Sequence, residues 1–78
     1  MSISKADKKN LKSLGEKLKT IRKSKGLTLK ELAYLTDKEP QSLHRVEQGQ
    51  INPTYLYLVK VCEGLKIDIT ELLKDIEK

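Results

Sequence analysis

The sequence has few of the residues that build covalent cross-links or metal sites. Cys62 is its single cysteine, so a disulfide within the chain is impossible. His44 is its single histidine, and one histidine with one cysteine falls short of any zinc ligand set. Cys62 lies in a helical apolar pattern, which favours a small core residue over a reactive thiol. The sequence therefore predicts no metal site, and we expect no cofactor.

Aromatic residues and long apolar runs are also scarce. Tyr34, Tyr55 and Tyr57 are the complete aromatic set, too few for the stacking surface of single-stranded nucleic acid binders. The longest apolar run, residues 55–59, has five residues, which is shorter than a signal-peptide core or a membrane span. We therefore expect no membrane partner and a cytoplasmic location.

The pattern of catalytic groups argues against an enzyme. The carboxylates are scattered, and neither a nucleophile–base pair nor a glycine-rich phosphate loop is visible. A chain of 78 residues holds one domain. Such a short chain buries only about 60% of the surface that its unfolded form exposes, which leaves little room for a deep cleft. The sequence predicts a protein that is not an enzyme.

The charge is uneven along the chain. The formal net charge is +5, yet residues 1–30 hold ten Lys and Arg against two acids, a local net of +8. Residues 31–78 hold six basic residues against nine acids, a net of −3. The basic half can attract a polyanion by counterion release and by longer-range steering. A solvated basic surface without a partner is the alternative, and charge alone does not decide between them.

Apolar spacings of three and four predict an all-α chain of five helices, because no segment alternates with period two. The first helix ends at Gly26. Its start is open: Ser13 with Glu16 and Ser4 with Asp7 both fit a capped N-terminus. Residues 1–12 are thus a basic arm or a helix extension, followed by one domain over residues 13–78. The apolar stripe of this helix consists of Leu11, Leu14, Leu18 and Ile21.

Two short helices follow, joined by about four residues. Thr28 and Glu31 form a capping-box pattern before a helix over residues 29–35. Pro40 suits the first position of the next helix, which extends to about Gln48 and stops at Gly49. The pair, residues 28–49, has the arrangement of a helix-turn-helix, whose second helix enters the major groove of DNA. A purely structural helical hairpin fits the same periodicity.

Two further helices complete the chain. Thr54 caps the fourth, which buries Leu58, Val61, Cys62 and Leu65. The fifth begins at Asp68, with Glu71 as its capping partner. These C-terminal helices carry more apolar residues than one edge of a small bundle must bury. Such a surplus usually marks an interface, so residues 65–78 are a possible dimerisation end. The surplus consists of Leu56, Val59, Ile69, Leu72, Leu73 and Ile76, which could alternatively complete the monomer core.

The segment Gly26-Leu-Thr-Leu-Lys-Glu-Leu-Ala33, followed by Ser42-Leu-His-Arg-Val-Glu-Gln-Gly49 and Pro53, resembles the Cro/repressor-type helix-turn-helix family, also called XRE. The resemblance covers residues 14–73, including the Leu58, Leu65 and Ile67 pattern. It implies a lambda-repressor-like bundle and sequence-specific binding of double-stranded DNA by a transcriptional regulator. It also implies an ion pair between Arg22 and Glu47.

The resemblance assigns roles around the third helix. Its exposed face would read bases, with Gln41 suited to adenine, Arg45 to guanine or to a phosphate, and His44 as a further polar group. Phosphate contacts would come from backbone N–H groups near Thr28 and Leu29 and from the side chains of Thr28, Ser42 and Asn52. The full set of expected DNA-binding residues is Thr28, Leu29, Lys38, Pro40, Gln41, Ser42, His44, Arg45 and Asn52, with charge added by Lys23, Lys25 and Lys30.

Three departures from the family bear on DNA affinity. Leu29 replaces a commonly polar phosphate anchor. Asp37 stands where the turn usually has glycine. Lys38 and Glu39 replace an apolar residue and a small hydroxyl cap, and Glu39 places negative charge near phosphate. The favoured function is a dimeric regulator on a palindromic operator. The alternative is a protein-interaction adaptor, or an antitoxin-like domain with a protein partner, that keeps the fold with weak DNA binding.

Overall fold

The computed structural model describes residues 4–74, and within them it is all-helical. It therefore confirms the expected five-helix architecture. Ile76 of the expected surplus lies outside the described residues. The helices are α1 (Lys5–Ser24), α2 (Leu29–Thr36), α3 (Pro40–Glu47), α4 (Tyr55–Leu65) and α5 (Ile69–Leu73). In this bundle α1 packs against α3 and α5, and α2 packs against α3 and α4.

Helix α1 starts at the earlier of the two candidate positions. The Ser4 hydroxyl accepts a hydrogen bond from the backbone N–H of Asp7 at 3.0 Å, so Ser4 is the N-cap. Residues 5–12 are consequently part of the helix. At the other end, the N–H of Leu27 donates to the carbonyl of Arg22 at 3.2 Å, with Gly26 at φ 72° between them. This arrangement closes the helix and turns the chain into α2.

The turn between α2 and α3 depends on Asp37. This residue has φ 56° and ψ 38°, the left-handed conformation, in the position where the related family usually has glycine. Asp is one of the few non-glycine residues that adopts this conformation at modest cost. The N–H of Lys38 then bonds to the carbonyl of Ala33 at 3.0 Å, and Pro40 opens α3 two residues later. The substitution thus leaves the turn geometry intact.

The expected cap of α5 is wrong in one respect. Asp68 is the N-cap residue, but its side chain makes no capping hydrogen bond, so no capping box with Glu71 forms. The helix has five residues and ends at Leu73, too short to gain much from a cap. Its position therefore depends on burying Leu72, which is 0% exposed. Leu72 belongs to the monomer core, and its assignment to an interface is incorrect.

The core contains Leu43 and Val46 of α3 and the four predicted residues of α4. Of the expected α1 stripe, Leu14 and Leu18 are in the core, Ile21 packs against it while partly buried, and Leu11 lies outside it. Cys62 is one of the four α4 residues, and burial, with a smaller contribution from Asp68, raises the pKa of its thiol. The thiol therefore stays protonated and acts as a small apolar group. Of the described residues, Leu18, Leu32, Leu43, Val46, Val61, Leu65 and Leu72 are the largest that are fully buried.

Within residues 4–74, no helix combines the length and the apolar character needed to cross a bilayer.

Candidate nucleic-acid interface

Helix α3 has one face in the core and one face in solvent. Leu43 and Val46 are buried, whereas Gln41, His44 and Arg45 are exposed. The helix therefore presents an amide, an imidazole and a guanidinium side by side, without a covering element among the described residues. Pro40 is exposed at its first position. Amide and guanidinium side chains form hydrogen bonds to base edges in the major groove of DNA.

A buried ion pair fixes the C-terminal end of α3. Arg22 Nε lies 2.7 Å from Glu47 Oε2, and Arg22 Nη2 donates to Glu47 Oε1 at 3.1 Å. Arg22 Nη1 also donates to the carbonyl of Leu27 at 2.7 Å. The two side chains are only 8% and 1% exposed. One guanidinium therefore ties α1 to the end of α3 and to the segment before α2, which fixes the position of α3 in the bundle.

The N-terminus of α2 is less open to phosphate than the sequence suggested. The N–H of Thr28 donates to Glu31 Oε1 at 2.8 Å, and the Thr28 hydroxyl accepts from the N–H of Glu31 at 3.0 Å. The N–H of Thr28 is therefore occupied within the capping box. Leu29 is half-buried and packs against the core, so its side chain is a packing residue. The groups that remain are the first-turn N–H groups of Leu29 and Lys30 and the proton of the Thr28 hydroxyl.

Lys38 and Ser42 both contact Tyr57, which in the sequence is one residue of the apolar run at positions 55–59. Ser42 Oγ lies 2.6 Å from the Tyr57 hydroxyl, and Lys38 Nζ lies 4.6 Å from the centroid of the Tyr57 ring. Lys38 is half-buried, not a freely extended surface lysine. Burial raises the pKa of Tyr57, partly offset by the hydrogen bond with Ser42, so the phenol keeps its proton at neutral pH. No spacing in the sequence signalled this cluster.

The remaining residues that were expected to contact DNA are exposed. Asn52 is exposed in the loop between α3 and α4. Glu39 is the N-cap residue of α3 and makes no side-chain capping bond, so its carboxylate stays exposed beside the first turn. Its charge opposes the approach of phosphate at this end of the helix. The three lysines expected to add positive charge, Lys23, Lys25 and Lys30, are all exposed.

Comparison with known proteins identifies the family to which this chain belongs. A family model described as "Helix-turn-helix" matches residues 18–72. Control protein C.MunI from Mycoplasma sp. is 37% identical over 65 residues, which cover 82% of this chain and 88% of that protein.

Two solved structures are also similar to this chain. The restriction-modification controller protein C.AhdI from Aeromonas hydrophila has a TM-score of 0.78 at 32% identity, over 80% of this chain and 94% of that one. The restriction-modification controller protein C.Esp1396I, a tetramer in complex with its natural 35 base-pair operator, has a TM-score of 0.72 at 27% identity. That match covers 83% of this chain and 96% of the other. The family model and the Mycoplasma relative both span most of the chain, and the protein therefore belongs to the XRE-type helix-turn-helix family.

Proposed function

We propose that this protein is a sequence-specific regulator of transcription that places α3 in the major groove of double-stranded DNA. The observation that carries the proposal is the exposed polar face of α3 on a helix whose other face is locked into the core. A structural helical hairpin also exposes polar groups, so the kind of group matters: an amide and a guanidinium are the side chains that pair with adenine and guanine. Family membership supports the same function, as does the solved complex of the similar protein C.Esp1396I with its natural operator.

The side chains divide into groups that read bases and groups that contact phosphate. Gln41 can make two hydrogen bonds to adenine, and Arg45 can make two to guanine. Thr28 and Asn52 carry exposed polar groups and Ser42 carries a half-buried one, and such groups suit the sugar–phosphate backbone. Pro40 and His44 lie on the same exposed face as Gln41 and Arg45. In this proposal the phosphate contacts set the register and the two long side chains on α3 supply the specificity.

The finer proposal is that the protein controls a restriction-modification system. Its support is the pair of controller relatives, C.MunI and C.AhdI, which exceed 30% identity and match this chain over most of their own length. They give no support to the adaptor or antitoxin alternatives. A short recognition helix contacts few base pairs, so we also propose a homodimer that binds two half-sites about one helical turn apart on a palindromic operator.

Selection of bound duplexes from a random DNA pool tests the function directly. We expect an enriched motif with twofold symmetry. The affinity for that motif should fall with salt at a log–log slope of roughly −4 to −7, because about four to eight phosphates are neutralised per dimer. Absence of an enriched motif, or a slope near zero, would contradict the proposal.

Substitution of the recognition face tests the assignment of α3. Arg45→Ala should weaken the selected site by about 1–3 kcal/mol and relax the preference at one base pair if the arginine reads guanine, whereas a phosphate contact gives a uniform loss. Lys60→Ala is the matched control, since it removes one positive charge from an exposed side chain of α4 outside the recognition face. Unchanged binding in Arg45→Ala combined with Gln41→Ala would show that α3 does not read DNA.

A further inference from the structure

A pair of hydroxyl groups links the recognition helix to α4. Ser42 is the third residue of α3, and its Oγ lies 2.6 Å from the hydroxyl of Tyr57. Tyr57 lies in the first turn of α4, where its N–H is bound by the hydroxyl of the N-cap Thr54 at 3.0 Å. The tyrosine is therefore held by the start of α4 while its hydroxyl reaches the start of α3. Both side chains are half-buried, so the pair borders solvent.

The direction of this hydrogen bond follows from the acidity of the two groups. A phenol, with a pKa of about 10, is a stronger donor than an alcohol. The greater acidity of the phenol favours Tyr57 as the donor and Ser42 Oγ as the acceptor, which leaves the Ser42 proton for a third group. Burial raises the pKa of Tyr57, so the phenol keeps its proton and can donate a hydrogen bond at physiological pH. A hydroxyl that already accepts one bond is polarised and donates a stronger second bond.

The free Ser42 proton lies in the first turn of α3, where a phosphate is favoured. Glu39 supplies no side-chain cap, and Pro40 has no N–H, so the N–H groups of Gln41 and Ser42 have no helical partner. These N–H groups and the helix dipole attract an anion. Lys38 adds a positive charge, since its ammonium lies 4.6 Å from the centroid of the same tyrosine ring.

We propose that Tyr57 is a positioning residue for DNA binding, which orients the Ser42 hydroxyl to donate to a DNA phosphate and holds Lys38 beside it. The inference rests on the proposed function and extends it to a residue on α4. The contact is to the backbone, so it carries no base preference of its own. Its contribution is to fix the register of α3 on the duplex.

The test is a double-mutant cycle, in which the affinity of each variant is measured for the DNA sequence that the wild-type protein selects. Tyr57→Phe removes the phenol oxygen and keeps the ring under Lys38. Ser42→Ala removes the donor itself and should weaken binding about tenfold per recognition helix, the size of one charge-assisted hydrogen bond. Tyr57→Phe should weaken binding about three- to tenfold, and the double variant should be no weaker than Ser42→Ala. Tyr55→Phe is the matched control, since Tyr55 is an exposed tyrosine on the same helix.

Four readouts separate positioning from a merely structural role. The losses should be the same on the selected duplex and on a mixed-sequence duplex of equal length, and Ser42→Thr, which keeps a hydroxyl, should retain most of the affinity. The salt slope should stay unchanged in Tyr57→Phe and become shallower by about one per helix in Lys38→Ala. The melting temperature of Tyr57→Phe should match that of Tyr55→Phe.

Two results would overturn the inference alone. One is wild-type affinity in Tyr57→Phe, and the other is a double variant whose loss equals the product of the two single losses. If the wild-type protein forms no complex with any duplex, the proposed function fails and the inference fails with it.

Discussion

At the scale of single residues, the Arg22–Glu47 pair positions the candidate site, because it joins α1 to the C-terminal end of α3. Its atoms are almost fully removed from water, and three hydrogen bonds satisfy the guanidinium. The desolvation of such a pair offsets much of its Coulomb attraction, so the pair itself adds little net stability. Removal of one partner is strongly destabilising, because it leaves the other charge buried and uncompensated. The pair therefore functions mainly to specify where α3 lies.

Glu47→Ala should consequently lower the free energy of unfolding by about 3–5 kcal/mol, as expected when a buried partner is removed. The matched control is Glu63→Ala, which breaks the Lys60–Glu63 pair, 3.9 Å apart with side chains 63% and 65% exposed. That control should cost under about 1 kcal/mol. Urea denaturation followed by circular dichroism measures both values. Equal losses in the two variants would show that the Arg22 pair is not buried in solution.

At the scale of elements, the contact between α1 and α3 orients the recognition helix. Gly15 of α1 lies against the backbone of α3, and a Cβ at this position would overlap the carbonyl groups of Val46 and Glu47. Backbone atoms cannot rotate away as side chains can, so relief requires a shift of one helix. The small residue thus permits the close approach that the Arg22–Glu47 pair needs, although glycine is a poor helix former.

Gly15→Ala should therefore destabilise the protein, against the usual gain of about 1 kcal/mol when alanine replaces glycine in a helix. We expect a net loss of about 1–3 kcal/mol, typical of overpacking, together with weaker DNA binding because α3 is displaced. Glu16→Ala, at the exposed neighbouring position, controls for helix propensity. Thermal unfolding measures the stability. A rise in melting temperature for Gly15→Ala would contradict the close packing.

At the scale of the whole molecule, the monomer leaves apolar side chains in solvent at its C-terminal helices. Leu56 of α4 is 69% exposed and Leu73 of α5 is 45% exposed, while Val59 and Ile69 are half-buried. Since α4 and α5 pack against each other, this surface is a candidate for a self-complementary contact about a twofold axis. Helix α2 offers a competing apolar surface, with Tyr34 87% and Leu35 53% exposed.

The two surfaces can be separated by matched variants. Leu56→Glu combined with Leu73→Glu should abolish the homodimer, because two carboxylates would be buried in a contact without partners. Leu35→Glu makes the same change on α2 and should leave the dimer intact. Sedimentation at micromolar protein concentration measures the mass. A wild-type monomer that binds one half-site tightly would refute the dimer, and dimerisation of the double variant would refute its location.

The sequence by itself determined the five helices, their order and most of the core. Local physics explains this, because spacings of three and four fix which face is apolar, and residues such as Thr28, Pro40 and Thr54 mark helix starts within a few positions. The exposed face of α3 also followed from its sequence, since burial of Leu43 and Val46 leaves Gln41 and Arg45 on the opposite side. The Arg22 and Glu47 pairing came only from family resemblance.

Tertiary structure alone decided the contacts between elements. Ser42 and Tyr57 are 15 residues apart, and their hydrogen bond depends on how the fold brings the start of α4 beside the start of α3. Lys38 was expected to face DNA freely, yet the ring of Tyr57 lies beneath its ammonium. Leu72 was counted with the exposed surplus because periodicity identifies an apolar face but does not say what covers it, and here the bundle covers it completely. Packing of distant segments is a property of the folded chain, so no local pattern encodes it.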